Sequence, residues 1–499
     1  MSDYYTRDGS SLRNARKKKR RRQMLIRRIA VGAFIVLLAA LIVLLVIYLF
    51  KGKGDSGQTS APQDVQTTDA QSDPAGTGEG TEEPSSQETP SSLDADQIAK
   101  AKVLAAQYDY DGAIALLQSL PGFENDAAAK ALVDEFTAAS AACVQVDMTQ
   151  VPHVFFHTLI VDFERCFASY HNKSLMNGYN AWMVTIEEFE KCIQQLYDNN
   201  YVIINISDIY QKDSNGNYAP NTSVKLPAGK KAVVFSYDDT AYYCQYMDWG
   251  MADRMVFDEN GDIKCEYTDK NGNTTTGNYD HVPILIDFCR EHPDFAWHGH
   301  KGTLALTGYN GVFGYRTEYR MFDNATSDEK AWLDANPWCQ RSKLDDYIAE
   351  AKVMAQALKD NGFEFASHTW GHRHCDQKSL DWLKTDTSWW LERVGSIVGP
   401  TDIFVFPHGS DIGGGEDYTS ANEKYAYLKS QGFGVFCGVD GVSYYWNQFR
   451  SDYVRQSRID IDGYLMWRQL DGNNTALSKL GLDVNAIFDR RRPTPVTTS

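Results

Sequence analysis

The sequence predicts an α/β fold in which helices cover a parallel β-sheet. From residue 151 onward, short apolar runs alternate with amphipathic helical stretches. The runs are almost continuously hydrophobic, which is typical of strands buried on both faces. The predicted strands are residues 154–157, 201–206, 231–237, 363–367, 402–406, 433–438 and 457–461. Strands that alternate with helices in this way indicate a parallel sheet.

Helices are predicted between these strands, at residues 185–199, 283–290, 344–359 and 380–398. The first of them begins with a capping box, in which Thr185 is the N-cap residue and Glu188 occupies position N3. Residues 258–273 contain two Asn-Gly pairs, so we expect an inserted hairpin there. The predicted domain covers residues 148–475, and residues 476–499 follow it as a C-terminal tail.

Four regions precede this domain. Residues 1–28 form a basic segment with eleven Lys and Arg residues. Residues 29–50 are apolar and uncharged, and as a helix of about 33 Å they would span a bilayer core. Residues 51–92 are rich in Ser, Thr, Gln, Pro and acidic residues, which predicts a disordered linker. Residues 93–147 carry apolar residues at helical spacing, which predicts three short helices.

The charge distribution predicts a location and excludes one class of partner. Because basic residues flank the apolar segment on its N-terminal side, the N-terminus should remain in the cytoplasm. The sequence therefore predicts a single-pass cell-membrane protein, anchored by residues 29–50, with its large domain outside the cell. From residue 54 onward the net charge is about −28, which would repel a polyphosphate backbone and argues against nucleic acid as a partner.

Three polar clusters directly follow predicted strands. They are Asp238-Asp239, His368-Thr-Trp-Gly-His372 and Pro407-His408-Gly409. In barrels of alternating strands and helices, the residues at the carboxyl ends of the strands converge on one face. Carboxylates and imidazoles together are the donors of a divalent metal site, with Zn²⁺ the preferred ion. Because successive strand residues point to opposite sides, one aspartate would bind the metal and its neighbour would take a proton from water.

These clusters resemble the first three motifs of the polysaccharide deacetylases, the NodB-homology or carbohydrate esterase family 4 domain. In this sequence the motifs are Phe235-Ser-Tyr-Asp238-Asp239, His368-Thr-Trp-Gly-His372 and Phe406-Pro407-His408-Gly409. Upstream, Phe155-Phe156-His157 is similar to the aromatic-His strand that often opens this domain. The resemblance covers roughly residues 151–470.

The resemblance implies a distorted (β/α) barrel of the NodB-homology type. It implies a divalent metal ion held by Asp239, His368 and His372, and Asp238 as the base that activates water. The backbone around Pro407 and His408 would help to hold the oxyanion. The substrate contacts that we expect within the three motifs are Tyr237, Trp370 and Pro407.

The sequence departs from the family pattern most seriously at the general acid. The late Leu-x-His motif that supplies the acid is matched only by Arg458-Ile-Asp460-Ile-Asp462-Gly463, and no histidine follows His408. The candidate acids are therefore His408, or Asp460 or Asp462 if burial raises the pKa of its carboxyl group. Val405 also stands where the family usually has an arginine.

The predicted function is metal-dependent removal of acetyl groups from an N-acetylated extracellular or cell-wall polysaccharide. One alternative is the removal of O-acetyl esters from polysaccharide, which would use the same metal site. The other is a catalytically degraded barrel that binds glycan. The missing late histidine favours the degraded barrel, whereas the complete set of Asp239, His368 and His372 favours the enzyme.

Overall fold

Seven parallel strands close into a barrel, and an eighth strand lies beside one of them. The computed structural model describes residue 91 and residues 93–439 and 445–498. In this part of the chain, strands β1 to β8 are His153–Phe156, Tyr201–Ile204, Lys231–Asp238, Gly302–Leu306, Phe363–Ser367, Ile403–Val405, Val435–Val439 and Val454–Asp460.

The ring is closed by parallel pairing in the order β1, β3, β4, β5, β6, β7, β8 and back to β1. Strand β2 pairs with residues 231–234 of β3, and β4 pairs with residues 236–238 on the same edge. Strand β3 is thus long enough to hold two neighbours in succession. The expected (β/α) barrel is confirmed as a seven-stranded ring with β2 outside it.

Helices connect the strands and cover the ring. The helices of the described chain are Ala95–Ala106, Tyr110–Ser119, Ala127–Ala142, Phe163–Cys166, Lys173–Trp182, Ile186–Asp198, His281–Glu291, Arg320–Asp323, Ser327–Ala335, Leu344–Asp360, Leu380–Trp390, Ser396–Val398, Glu423–Ser430, Gly463–Leu470, Ala476–Lys479 and Val484–Ile487. The predicted capping box is confirmed: the Thr185 hydroxyl accepts the N–H of Glu188, and the Glu188 carboxylate accepts the N–H of Thr185.

Short antiparallel strands lie outside the parallel ring of the barrel. Trp446–Phe449 pairs with β8. The predicted insert is a three-stranded sheet of Arg254–Phe257, Ile263–Thr268 and Thr274–Gly277, because each of its two Asn-Gly turns joins a pair of strands. Two further pairs are Val144–Gln145 with Lys225–Leu226, and Tyr210–Lys212 with Tyr218–Pro220.

The barrel interior is apolar at one end and polar at the other. Along β3, Ala232 and Val234 pack with residues of the other strands, whereas Val233, Phe235 and Tyr237 pack against the covering helices. This alternation makes the even-numbered positions of β3 the inward-facing ones. The next inward positions, toward the carboxyl ends, are polar on three neighbouring strands: His153, Ser236, Asp238, Gln456 and Arg458.

The C-terminal tail packs onto the covering helices. Arg492 is buried, and its Nε and Nη2 atoms donate to Glu188 at 2.7 and 2.5 Å. Phe488 and Val496 are buried in the same hydrophobic cluster as the helices. The domain boundaries at residues 147 and 475 stay predictions.

The predicted cellular location needs correction. In the part of the chain that the structure describes, no helix is both long and apolar enough to cross a membrane. The basic segment 1–28, the predicted membrane helix 29–50 and nearly all of the predicted linker 51–92 lie outside the described residues. A single-pass membrane protein with an extracellular domain is therefore not supported by the structure.

Candidate metal and catalytic site

Three side chains from two strand ends form a donor cluster at the carboxyl end of the barrel. Asp239 follows the last residue of β3, and His368 and His372 lie in the loop after β5. The Oδ1 atom of Asp239 lies 3.6 Å from Nε2 of His372 and 4.0 Å from Nε2 of His368. One ligand atom from each residue lies within 4.8 Å of the others. The structure thus brings the three predicted metal ligands together.

Both histidines of the cluster can offer an unprotonated nitrogen. Nδ1 of His368 lies 2.9 Å from the carbonyl oxygen of Val405, which can only accept, so Nδ1 carries the proton and Nε2 is free to face Asp239. Burial lowers the pKa of His368 to about 4. Burial is also the main cause that lowers the pKa of His372 to about 4, and nearby positive groups lower it further. Both rings are therefore neutral at pH 7, which is the form that binds a metal.

The loop between these histidines is held in an unusual backbone conformation. Thr369 and His372 have φ angles of 59° and 48°, in the left-handed region that residues with a Cβ rarely adopt. The Thr369 hydroxyl accepts the N–H of His372 at 3.0 Å. Asp386 accepts the N–H groups of Trp370 and Gly371 at 2.7 and 2.8 Å. These hydrogen bonds hold the loop backbone in this conformation and thereby fix the positions of the His368 and His372 rings.

The carboxylate of Asp239 is held by a hydrogen bond from Tyr243. The Tyr243 hydroxyl donates to Oδ1 of Asp239 at 2.5 Å and lies 2.7 Å from the hydroxyl of Thr307. Tyr309 stacks on the Tyr243 ring at a centroid distance of 4.8 Å. The carboxylate is thus oriented before any ion binds.

Asp238 forms a buried ion pair with Arg458. Nη1 and Nη2 of Arg458 donate to the two carboxylate oxygens at 2.8 and 3.0 Å, and both side chains are 3% exposed or less. Burial raises the pKa of Asp238, but the charge and hydrogen bonds of Arg458, together with the nearby His368 and His157, outweigh it, and the net pKa lies below the usual value. The carboxylate therefore stays ionised, and Oδ2 lies 3.7 Å from Nε2 of His368.

A histidine and an aspartate face each other beside this ion pair. Nδ1 of His157 and Oδ1 of Asp460 are 3.7 Å apart, and both atoms are buried without a hydrogen-bond partner in the described chain. His157 directly follows β1, and Asp460 ends the neighbouring strand β8. Burial, then the nearby carboxylates, raise the pKa of Asp460. Such a pair needs only a small movement to form a hydrogen bond.

Two predicted candidates for the acid have different surroundings. His408 is exposed, and its ring lies 4.4 Å from that of His372. Burial of part of the ring and the neighbouring histidines lower the pKa of His408 to about 4, so its ring is neutral at pH 7 and is not an imidazolium acid. Asp462 is buried and accepts the N–H of Leu465 at 2.6 Å as the N-cap of Gly463–Leu470.

The predicted substrate contacts also differ from one another. Tyr237 is fully buried, because it is an outward residue of β3, and its hydroxyl donates to the carbonyl oxygen of Lys301. It cannot reach a substrate in this arrangement. Trp370 is half-buried, and its indole N–H donates to Glu318 at 2.9 Å. Pro407 is buried in the turn that carries His408.

The sequence motifs predict no role in the site for His157, and they include Arg458 only in a weak match to the late motif. His157 follows β1 in the same way that the recognised clusters follow their strands, so the strand-end rule could have included it. Arg458 is a charged residue in a predicted strand of a barrel whose strands should be buried, which is a signal for a buried partner. The partner itself is 220 residues away in the chain.

Comparisons with known proteins give limited support. No family model matches this sequence, and no curated protein matches it. A solved structure of the Streptococcus pyogenes deacetylase PplD in complex with acetate is similar to 65% of this chain and 95% of that chain, at 14% identity and a TM-score of 0.31. This likeness is weak, so the class of the site follows from its own residues.

Proposed function

We propose that this protein is a metal-dependent hydrolase that removes acetyl groups from an N-acetylated polysaccharide. The observation that carries the proposal is the placement of Asp238, fixed by Arg458, beside the cluster of Asp239, His368 and His372. Hydrolysis of an amide needs an activated carbonyl, a base for water and an acid for the amine. The glycan substrate is suggested by the resemblance of the three motifs to those of polysaccharide deacetylases.

The three donors fit a zinc ion. A tetrahedral site with bonds of about 2.1 Å has donor atoms about 3.4 Å apart. The distances of 3.6 and 4.0 Å from Asp239 to the two histidines are close to that value, and all three donor atoms lie within 4.8 Å of one another, so side-chain movements would bring them to it. Three protein ligands would leave one position open, as catalytic zinc sites do. A divalent ion held there would polarise a carbonyl oxygen and make a bound water more acidic.

The residues of the chain then divide the proton transfers between them. Asp238 takes a proton from the water that adds to the acetamide carbonyl carbon, and Arg458 keeps the carboxylate in place and ionised. The carbon–nitrogen bond breaks as the leaving nitrogen receives a proton. The products are acetate and a free amino sugar.

The proton for the amine comes from His157 in this proposal. Histidine is the side chain suited to moving protons near neutral pH, and Asp460 faces its Nδ1 atom at 3.7 Å, from where a small movement would form the hydrogen bond that orients the ring. An amine leaves poorly without a proton, whereas the oxygen of an ester needs less help. The His157–Asp460 pair therefore favours amide over ester substrates. In this proposal His157 takes the role of the late histidine that the sequence lacks.

The proposal is tested with full-length protein loaded with Zn²⁺ and a panel of N-acetylated and O-acetylated oligosaccharides. We expect acetate and free amine in equal amounts from the N-acetylated members. His368→Ala and His372→Ala should each lose most of the bound zinc and the activity. His300→Ala is the matched control, because His300 precedes β4 at the opposite end of the barrel and bonds to Asp208 at 2.6 Å. Acetate release that survives both ligand substitutions would refute the proposal.

A further inference from the structure

Arg373 lies at the mouth of the site, and no described residue pairs with its charge. It follows His372 directly and its side chain is exposed. Among the arginines of the described residues, it is the one whose guanidinium makes no hydrogen bond, ion pair or ring contact. An arginine left free beside a donor cluster is available to a ligand.

The charge of Arg373 reaches several groups around the mouth. Burial is the main reason that the pKa of His372 is lowered, and Arg373 adds to that lowering. Arg373 also opposes the effect of burial on Tyr309 and Asp386. The two oxygens of Asp386 accept backbone N–H groups, and within the described residues Asp386 forms no ion pair with Arg373. Arg373 therefore belongs to the loop after β5, and its charge acts on Tyr309 in the loop after β4.

Two exposed imidazoles continue the same rim. His374 and His408 stack in parallel, with ring centroids 4.1 Å apart and an interplanar angle of 17°. A neutral imidazole still carries one N–H donor. The rim formed by Arg373, His374 and His408 thus offers one fixed positive charge and two further donors beside the metal ligands.

We propose that this rim binds an anionic substituent, so that the substrate is an acetylated glycan carrying a phosphate or carboxylate group near the acetylated sugar. The inference rests on the proposed function. A guanidinium recognises either anion through paired N–H donors. The domain as a whole is strongly acidic, which disfavours a densely charged polyanion and favours a single anionic group placed at the rim.

The test compares three oligosaccharides with the same acetylated sugars: a neutral one, one with a phosphodiester and one with a uronic acid. Binding to the full-length zinc protein is measured by titration calorimetry, and acetate release is measured separately. We expect the wild-type protein to bind an anionic member about tenfold more tightly than the neutral one. The stronger of the two anionic ligands identifies the source of the charge.

Arg373→Gln should remove most of this preference, and Arg373→Lys should keep part of it. Arg341→Gln is the matched control, since Arg341 is exposed and pairs with Asp323 at 3.6 Å. Equal binding of neutral and anionic glycans by the wild type, or a preference that survives Arg373→Gln, overturns the inference. Charge-selective binding without acetate release overturns the proposed function and supports the inference, whereas acetate release with equal binding does the reverse.

Discussion

Asp238 and Asp239 are adjacent in the chain, yet their carboxylates have different surroundings. Asp238 is an inward residue of β3 and is bound by Arg458. Asp239 lies just past the strand with a φ of 61° and faces the two histidines. The alternation of strand residues already indicated two different roles. The sequence does not predict the guanidinium that fixes Asp238, because Arg458 comes from another strand, 220 residues further along the chain.

The residue most directly tested is His157. His157→Gln should lower kcat for N-acetylated substrates by roughly 10²–10⁴-fold and leave zinc content intact, because the leaving amine loses its proton donor. Asp460→Asn should lower kcat in the same direction. His408→Phe is the comparison, with a much smaller loss of kcat expected, since His408 is neutral at pH 7. A large loss of kcat in His408→Phe together with normal turnover in His157→Gln would show that His408, and not His157, is the proton donor.

Arg458 should control the acid limb of the pH profile. Removing the guanidinium leaves burial as the main influence on Asp238, so the pKa of Asp238 rises and the acid limb of kcat/KM should move to higher pH in Arg458→Gln. Arg458→Lys should restore part of the shift. An unmoved acid limb in Arg458→Gln would contradict Asp238 as the base.

The same ion pair affects stability with a defined sign. The pKa of Asp238 is lowered by folding, so the pair stabilises the protein above the unfolded pKa of about 3.9, and this contribution is lost as pH falls through the folded value. Thermal unfolding against pH should therefore show the largest difference between wild type and Arg458→Gln near neutral pH. Arg450→Gln, an exposed arginine that pairs with Asp417, is the control.

At the scale of elements, the strands explain both what the sequence predicts and what it does not. The apolar runs located all the barrel strands except β4, Gly302–Leu306, which begins with a glycine and a threonine and has only three apolar residues after them. The period of two along β3 places Tyr237 outward, so the sequence alone could have excluded it from the substrate contacts. Contacts such as those of Arg458 depend on which strands become neighbours when the barrel closes. Short stretches of sequence carry no information about that pairing.

The loop after β5 depends on a neighbouring helix. Asp386, on Leu380–Trp390, accepts the N–H groups of Trp370 and Gly371, which lie between His368 and His372. Asp386→Ala should therefore weaken zinc binding by roughly 10–100-fold, measured by competition with a chelator. Asp381→Ala changes an exposed residue of the same helix and should have no such effect. Equal zinc affinity in the two variants would show that the loop does not need this support.

At the scale of the whole molecule, the C-terminal tail belongs to the packed structure. Arg492 and Glu188 are both fully buried, so either side chain alone would leave an uncompensated charge. Arg492→Gln should lower the free energy of unfolding by about 3–5 kcal/mol, measured in urea. Arg490→Gln, at an exposed position two residues earlier, is the control. Unaltered stability in Arg492→Gln would support the predicted boundary at residue 475.

The most direct test of the central claim is acetate release by the full-length protein after its metal is removed with a chelator and zinc is then added back, with Asp238→Asn measured in parallel. Wild-type protein should lose acetate release from an N-acetylated oligosaccharide with the metal and regain it with zinc. Asp238→Asn should take up zinc but turn over roughly 10²–10⁴-fold more slowly. Zinc uptake by neither protein, or equal acetate release by both, would contradict a metal-dependent hydrolase with Asp238 as its base.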